Sequence, residues 1–164
     1  INGCCNGIYD VYNNIIVDLN LDKCNSEQKI YQDQLHYLQK DDIIIHDRGY
    51  YSHKLLYLLY SKNIYPIFRM KKNMKIVQDL LNSVVDDKIY IINNKDTNYT
   101  SIKYRLVKYE INNKIYILGT TLLDSKFTIY LLKELYKHRW KIEVYFKTRK
   151  YDLNFQNFHP KSEE

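Results

Sequence analysis

The chain has 164 residues, 45% of them hydrophobic and 27% charged, which fits a folded domain with its own core rather than a disordered chain. Its formal net charge of +6 favours a polyanionic partner, although the abundant Lys, Asn, Ile and Tyr also fit an A/T-rich coding sequence. Three cysteines, an odd count without zinc-ligand spacing, argue against a disulfide scaffold and for a reducing compartment. No apolar run approaches the roughly 18–20 residues that cross a bilayer. We therefore expect an intracellular protein, cytoplasmic or nuclear depending on the host, without a membrane partner.

The first part of the chain is typical of a β-hairpin followed by a helix. Two β-rich runs within Gly7–Leu21 flank Asn13 and Asn14, and asparagine tolerates the positive φ that a tight turn needs. The next segment, NSEQKIYQDQLHYLQK, places apolar side chains at helical spacing after a cap residue, Asn25 or Ser26.

A strand, a helix and a second strand come next. Ile43–Ile45 is a short continuous apolar run, which is typical of a strand buried on both faces. The segment SHKLLYLLYSKN predicts a helix with Ser52 as its N-cap, and IYPIFRM predicts the second strand. A helix between two strands predicts that the strands lie parallel in one sheet.

The remainder of the chain predicts a β-rich segment and then a long helix. After the helical pattern MKIVQDLLNSVV, three strand patterns follow, and the last two are joined by Asn112 and Asn113. Residues 72–123 therefore resemble an antiparallel β insertion. One helix is predicted from Lys126 to about Tyr151, with Asp124 or Ser125 as its N-cap.

Asp47 is the first candidate functional residue, because it follows directly after the predicted strand Ile43–Ile45. In open α/β sheets, sites gather at the carboxyl ends of strands, and an acid there can hold a metal ion. Gly49 permits a tight turn after it. In the alternative interpretation, Asp47 only pairs with Arg48 or caps the turn. The neighbouring His46 and His53 fit surface or turn positions better than metal ligands.

The second candidate is the single acid of the basic segment YKHRWKIEVYFKTRK. At about 100° per residue, Tyr136, Arg139, Glu143 and Lys150 fall within an arc of about 60° on the predicted helix. A carboxylate among cations at the rim of an apolar face suits a metal ligand beside phosphate contacts. An ordinary ion pair of Glu143 with Arg139 or Lys147 explains the same pattern equally well. The apolar face beside this arc is expected to pack on the sheet through Leu131, Leu135, Ile142 and Phe146.

These residues resemble a known family. The spacing Tyr136-x2-Arg139-x3-Glu143-x6-Lys150 is similar to the Y-(2)-R-(3)-E-(6)-K signature of IS4-type DDE transposases, and HDRGYYS resembles the block around that family's second catalytic aspartate. The likeness extends over roughly residues 7–159, including the hairpin, the strand YPIFRMK and the β-rich segment.

The resemblance implies an α/β fold with an RNase H-like core, interrupted by the β insertion before the final helix. It implies DNA cleavage and strand transfer with two Mg²⁺ or Mn²⁺ ions about 3.5–4 Å apart. Asp47 and Glu143 would be two of three catalytic, metal-binding carboxylates. Tyr136, Arg139 and Lys150 would contact double-stranded DNA, the transposon ends, with Arg48 as a further candidate. A homodimer is a possible assembly.

The family's first catalytic aspartate lies upstream of the block that matches Gly7–Asp18, and Asp10, Asp18 and Asp22 are poor substitutes for it. We therefore expect residues 1–164 to form a partial catalytic domain that lacks its first strand, is truncated at both ends, and is inactive alone. The alternatives are a non-catalytic DNA-binding remnant of a transposase and an unrelated basic α/β protein.

Overall fold

The computed structural model describes residues 3–23, 31, 33–93 and 101–152, with side chains described within 6–20, 31, 33–93 and 101–148. A short 3₁₀ helix spans Leu35–Tyr37. The strands are β1 Gly3–Asp10, β2 Ile15–Lys23, β3 Ile43–His46, β4 Tyr65–Arg69, β5 Asp87–Asn93, β6 Ser101–Ile111 and β7 Lys114–Thr120. The α-helices are α1 His53–Ser61, α2 Lys75–Leu81, α3 Ile129–Lys137 and α4 Arg139–Asp152.

The described strands form two sheets, a β1–β2 hairpin and a five-stranded mixed sheet in the order β3-β4-β7-β6-β5. β3 and β4 are parallel, as predicted, and the other pairs are antiparallel. The α/β fold class is therefore confirmed, and it is consistent with an RNase H-like core. The three strands of the predicted insertion are antiparallel, and they continue the sheet that β3 and β4 begin, because β7 pairs with β4.

Asparagines form the hairpin turns. Asn14 has a φ of 56°, and Asn112 and Asn113 have φ values of 49° and 60°. A two-residue turn with positive φ at both positions matches the right-handed twist of the strands that it joins. Both predicted hairpins are confirmed, but only the second has the predicted two-residue turn, because the first turn spans residues 11–14 and Asn13 does not have a positive φ.

The prediction that Ile43–Ile45 is buried on both faces is confirmed only in part: Ile44 packs against one hydrophobic cluster and Ile45 against the other, and both are half-buried. β3 is the outermost strand of the five, and Ile43 is 37% exposed. The strand buried on both faces is β4, where Ile67 and Phe68 are fully buried. A continuous apolar run does not show whether a strand lies inside a sheet or at its edge.

Hydrophobic side chains cover both faces of the five-stranded sheet. On one face, Phe68 and Tyr104 pack with α1 and α2. On the other face, Ile67 packs with Leu132 and Tyr136 of α3. Because neighbouring residues of a strand point to opposite faces, Ile67 and Phe68 join different clusters. The face that carries α3 is the one on which the candidate residues gather.

The predicted single helix from Lys126 is also wrong in its boundaries. His138 separates α3 from α4, although its backbone stays in the α region. The N-cap of α3 is Thr128, whose hydroxyl accepts a hydrogen bond from the Leu131 amide at 3.2 Å. Asp124 instead accepts from the Lys126 amide and forms a turn. Polar residues in close succession offer several possible caps, and the sequence does not choose among them.

The burial of α3 also differs from the expected pattern. Leu132 is fully buried, whereas Leu131, which was expected to face the sheet, is 36% exposed. Leu135, Ile142 and Phe146 are half-buried, as the expected apolar face requires. Because Leu132 faces the sheet in place of Leu131, Tyr136, which is four residues further along the helix, faces the sheet as well.

The earlier helices agree with the sequence where they are described. α1 has the predicted N-cap, since the Ser52 hydroxyl accepts from the Leu55 amide at 3.2 Å. The predicted cap of the preceding helix, Asn25 or Ser26, lies outside the described residues. Among the helices described, none combines the length and the apolar character that crossing a membrane requires.

Arg105 ties the start of α3 to the sheet. Its guanidinium donates to both oxygens of Asp87, at 2.8 and 2.5 Å, and to the Phe127 carbonyl at 2.7 Å. The side chain is only 8% exposed, so its charge is compensated inside the protein rather than by water. This contact fixes the segment from which α3 and then α4 begin.

Gly119 should not tolerate a side chain. A Cβ at this position would lie 2.6 Å from Cζ of the buried Tyr104, whereas a Cβ at Gly49 would meet nothing within 4 Å. We expect Gly119→Ala to lower the free energy of unfolding by about 1–3 kcal/mol through overpacking. Urea unfolding measures this, with Gly49→Ala as the matched control. Equal midpoints for the two variants would contradict the packing described.

Candidate functional site

Asp47 lies immediately after β3, at the carboxyl end of the strand. A hydrogen bond from the Tyr50 amide to the Asp47 carbonyl, at 3.2 Å, closes the turn that follows. The carboxylate side chain is 52% exposed, and the described ion contact that it makes is to Arg139 rather than to Arg48. Arg48 itself is exposed beside it.

His46 anchors this end of the strand and is not a surface residue as expected. It is only 4% exposed. Its Nε2 lies 2.6 Å from the Tyr31 hydroxyl oxygen, and its ring stacks on the Phe68 ring with the centroids 4.6 Å apart. Burial lowers the pKa of His46 to about 3, so the ring is neutral at physiological pH. Because His46 is held on the Phe68 face, Asp47 is turned toward the opposite face.

Arg139 joins Asp47 to Glu143. Arg139 Nη1 donates a hydrogen bond to Glu143 Oε1, one turn further along α4. Arg139 Nε lies 3.9 Å from Asp47 Oδ1 and, among the described residues, is buried without a hydrogen bond. The intrahelical pair left open by the sequence is therefore present, and the same guanidinium also contacts a carboxylate from the sheet.

The balance of charges holds Arg139 in its protonated form. Burial acts to lower the pKa of the guanidinium, but the hydrogen bond to Glu143 and the charge of Asp47 outweigh it, and the pKa is raised. The Arg139 side chain is 13% exposed, against 36% for Glu143. Two carboxylates from distant parts of the chain thus share one largely buried cation.

Tyr136 lies in the last turn of α3, three residues before Arg139. Its ring is 9% exposed, and in the described part of the protein its hydroxyl is buried without a hydrogen-bond partner. Burial raises the pKa of the Tyr136 hydroxyl. The charges of Arg139 and Arg69 act to lower this pKa, and the charge of Asp47 acts to raise it. The phenol is therefore within electrostatic range of the acid and both arginines.

Sequence reasoning missed Arg69. In the parallel pair, His46 is opposite Phe68, so Asp47 and Arg69 leave the carboxyl ends of β3 and β4 side by side. The Arg69 guanidinium lies 5.2 Å from the centroid of the Tyr116 ring and is half-buried. Among the described residues it has no carboxylate within ion-pair distance. The strand-end rule that selected Asp47, applied to the second parallel strand, would have selected Arg69 as well.

The remaining predicted residues are less well placed. The backbone of Lys150 belongs to α4, but its side chain lies outside the described part of the chain. Lys147, the other proposed partner of Glu143, lies over the Trp140 ring at 5.7 Å. The geometry therefore brings together Asp47, Tyr136 and Arg139 with Glu143, and leaves Arg48 exposed at the margin.

The two carboxylates suit a hard divalent cation in chemical type. Both offer oxygen ligands, both are partly exposed, and both already face one positive group. Within the described ranges, no group of three His, Cys, Asp or Glu residues gathers around a common point. Asp47 and Glu143 therefore fit part of a metal site.

A comparison with protein families gives one finding for this chain. The sequence model of a family described as "Transposase DDE domain" matches residues 6–164. The match includes Asp47, Tyr136, Arg139 and Glu143. No curated protein matches the chain in a sequence search.

Tyr136→Phe should leave the fold intact or make it more stable. The substitution removes a buried hydroxyl that has no described partner, and such a group costs about 1–3 kcal/mol when it is left unpaired. The matched control is Tyr57→Phe, which loses a hydrogen bond of 2.7 Å to the Ile92 carbonyl and should cost about 1 kcal/mol. Urea unfolding compares the two, and equal losses would show that the Tyr136 hydroxyl is stabilised in the free protein.

Proposed function

Because the chain belongs to the family of transposase DDE domains, we propose that it acts in DNA transposition, through metal-dependent cleavage and strand transfer at transposon ends. Asp47 and Glu143 are the proposed catalytic carboxylates. The Tyr136, Arg139, Glu143 and Lys150 spacing supports the IS4-type subgroup within this family.

The observation that carries the proposal is the meeting of Asp47 and Glu143 at one guanidinium. The first residue ends a sheet strand and the second lies on a helix near the other end of the chain. An ordinary helical ion pair explains Arg139 and Glu143, but it does not explain the approach of Asp47 at 3.9 Å. Carboxylates that converge from separate elements are typical of a site for a cation.

The proposed metal ligands are the carboxylate oxygens of Asp47 and Glu143, and Mg²⁺ or Mn²⁺ suits them. A divalent ion in such a site polarises phosphoryl oxygens and makes a bound water or hydroxyl a better nucleophile. The chain itself supplies the acids that hold the ion, the neutral His46 that orients Asp47, and the buried α3 that positions α4.

The proposed DNA contacts surround these acids. Arg69 and Arg48 lie on the strand side, and Arg139 lies on the helix side, with Lys150 further along α4. Guanidinium groups pair well with phosphate oxygens, and Arg69 is a half-buried cation that has no acidic partner in the described part of the chain. We expect a homodimer to act on paired DNA ends.

The second candidate function is a non-catalytic DNA-binding remnant. It is favoured by the charge balance at the site, where Arg139 already neutralises one of the two acids and only two acids converge in the described region. The family site is expected to use three carboxylates. We therefore expect the chain by itself to bind DNA and to cleave it slowly if at all.

Removing either acid should weaken metal binding. We expect Asp47→Asn and Glu143→Gln each to lower Mn²⁺ affinity by about 10-fold or more, since each removes one charged oxygen ligand. Calorimetric titration measures this, with Glu134→Gln on α3 as the matched control. Nicking of supercoiled DNA in the same samples separates the two functions. Unchanged Mn²⁺ affinity in both variants would contradict the proposed site.

Removing Arg69 should reduce the salt dependence of DNA binding. Each phosphate contact contributes a slope of about 0.9 in a plot of log affinity against log salt concentration, so Arg69→Gln should lower the slope by about one unit. The control is Lys88→Gln, because Lys88 pairs with Asp79 near the opposite edge of the sheet. An equal slope for the wild type and Arg69→Gln would remove Arg69 from the interface.

A further inference from the structure

Arg139 is turned inward, although the spacing of the α4 residues assigns it to DNA. Its side chain is 13% exposed, and its guanidinium is directed toward Glu143 and Asp47. A cation with both acids as neighbours has little freedom to bind a phosphate. The orientation in this structure and the proposed DNA contact are therefore two different positions of the same side chain.

The atoms that Arg139 occupies are those that a metal ion would need. Its Nη1 already uses Glu143 Oε1, and its Nε faces Asp47 Oδ1. A divalent cation at these oxygens would replace the guanidinium, since two positive groups cannot share the same ligand atoms without strong repulsion. Occupancy by the ion and occupancy by Arg139 are therefore alternatives.

The contacts that hold Arg139 inward are incomplete. The 3.9 Å separation from Asp47 is too long for a hydrogen bond, and the buried Nε has no described partner. Arg139 is the first residue of α4, beside the helix junction at His138. Its guanidinium also lies 5.7 Å from the ring of Trp140, which is 56% exposed. The guanidinium therefore lies near a side chain that reaches solvent.

We propose that Arg139 is an internal stand-in for the metal ion, which the ion displaces toward DNA. This inference rests on the proposed function of the site and adds a coupling to it. In the free protein Arg139 holds the two carboxylates near each other. When the ion binds, the guanidinium is released from Glu143 and contacts a DNA phosphate. Metal and DNA then strengthen each other's binding, and the factor must be the same in both directions.

The first test is Mn²⁺ titration of wild type, Arg139→Gln and Lys137→Gln, each with and without a short DNA duplex. Lys137 is the matched control, because it is a cation on the neighbouring helix that pairs with Glu134. In the wild type, DNA should raise Mn²⁺ affinity by about 5-fold or more, within the usual range of coupling between two sites. In Arg139→Gln, Mn²⁺ should bind more tightly without DNA, and DNA should add little.

The opposite results have separate meanings. If the wild type binds Mn²⁺ through Asp47 and Glu143, but Arg139→Gln binds it equally or less tightly, the displacement is wrong and the proposed function stands. If neither protein binds Mn²⁺, the metal site and the displacement fail together. Urea unfolding of both variants checks that the fold is retained.

A second measurement uses the wild type alone, so it does not depend on the folding of a variant. Trp140 is the single tryptophan of the chain, and Arg139 lies beside its ring. Saturation with Mg²⁺ should shift the Trp140 fluorescence emission, because the neighbouring guanidinium changes position. The shift should be absent in Asp47→Asn. No shift in wild type that has bound Mg²⁺ would overturn the proposal.

Discussion

The parallel pairing of β3 with β4 is the constraint on which the candidate site depends. It places Asp47 and Arg69 side by side at the carboxyl ends of the two strands, and it turns both side chains away from the sheet face that carries His46 and Phe68. An acid and a base therefore lie where the backbone leaves the sheet. A shift of register by one residue would exchange the two faces and separate Asp47 from α4.

The helical side of the site is positioned by apolar burial together with one buried arginine. Leu132 and Tyr136 are buried against the sheet, and Arg105 fixes the segment before α3 to β5 and to the Phe127 carbonyl. With α3 held in this way, the short junction at His138 decides the direction of α4, and with it the position of Arg139 and Glu143. The apolar contacts of α3 therefore determine where the charged residues of α4 lie relative to the sheet.

The sequence was sufficient for the parts of the fold that depend on local pattern. Alternating apolar residues, asparagine turns and the Ser52 cap identified the strands, both hairpins and α1. It was insufficient where the outcome depends on neighbours distant in the chain: the edge position of β3, the choice of Thr128 as cap, and the burial of His46. Arg69 was missed for a different reason, since the strand-end rule was applied to the first parallel strand and not to the second.

The polar groups left unpaired in this region point to where its chemistry is expected. The Tyr136 hydroxyl and Arg139 Nε are both buried without described hydrogen bonds, which lowers the stability of the free protein. Elsewhere the described buried cation, Arg105, donates hydrogen bonds to both oxygens of Asp87 and to two backbone carbonyls. Buried polar atoms without a described partner also occur on the other face of the sheet, for example at the Tyr51 hydroxyl, so the nearby carboxylates Asp47 and Glu143 are what distinguish the region of Tyr136 and Arg139. A phosphate oxygen accepts hydrogen bonds from a phenol and from a guanidinium alike, which is why the proposed function assigns both groups to the DNA backbone.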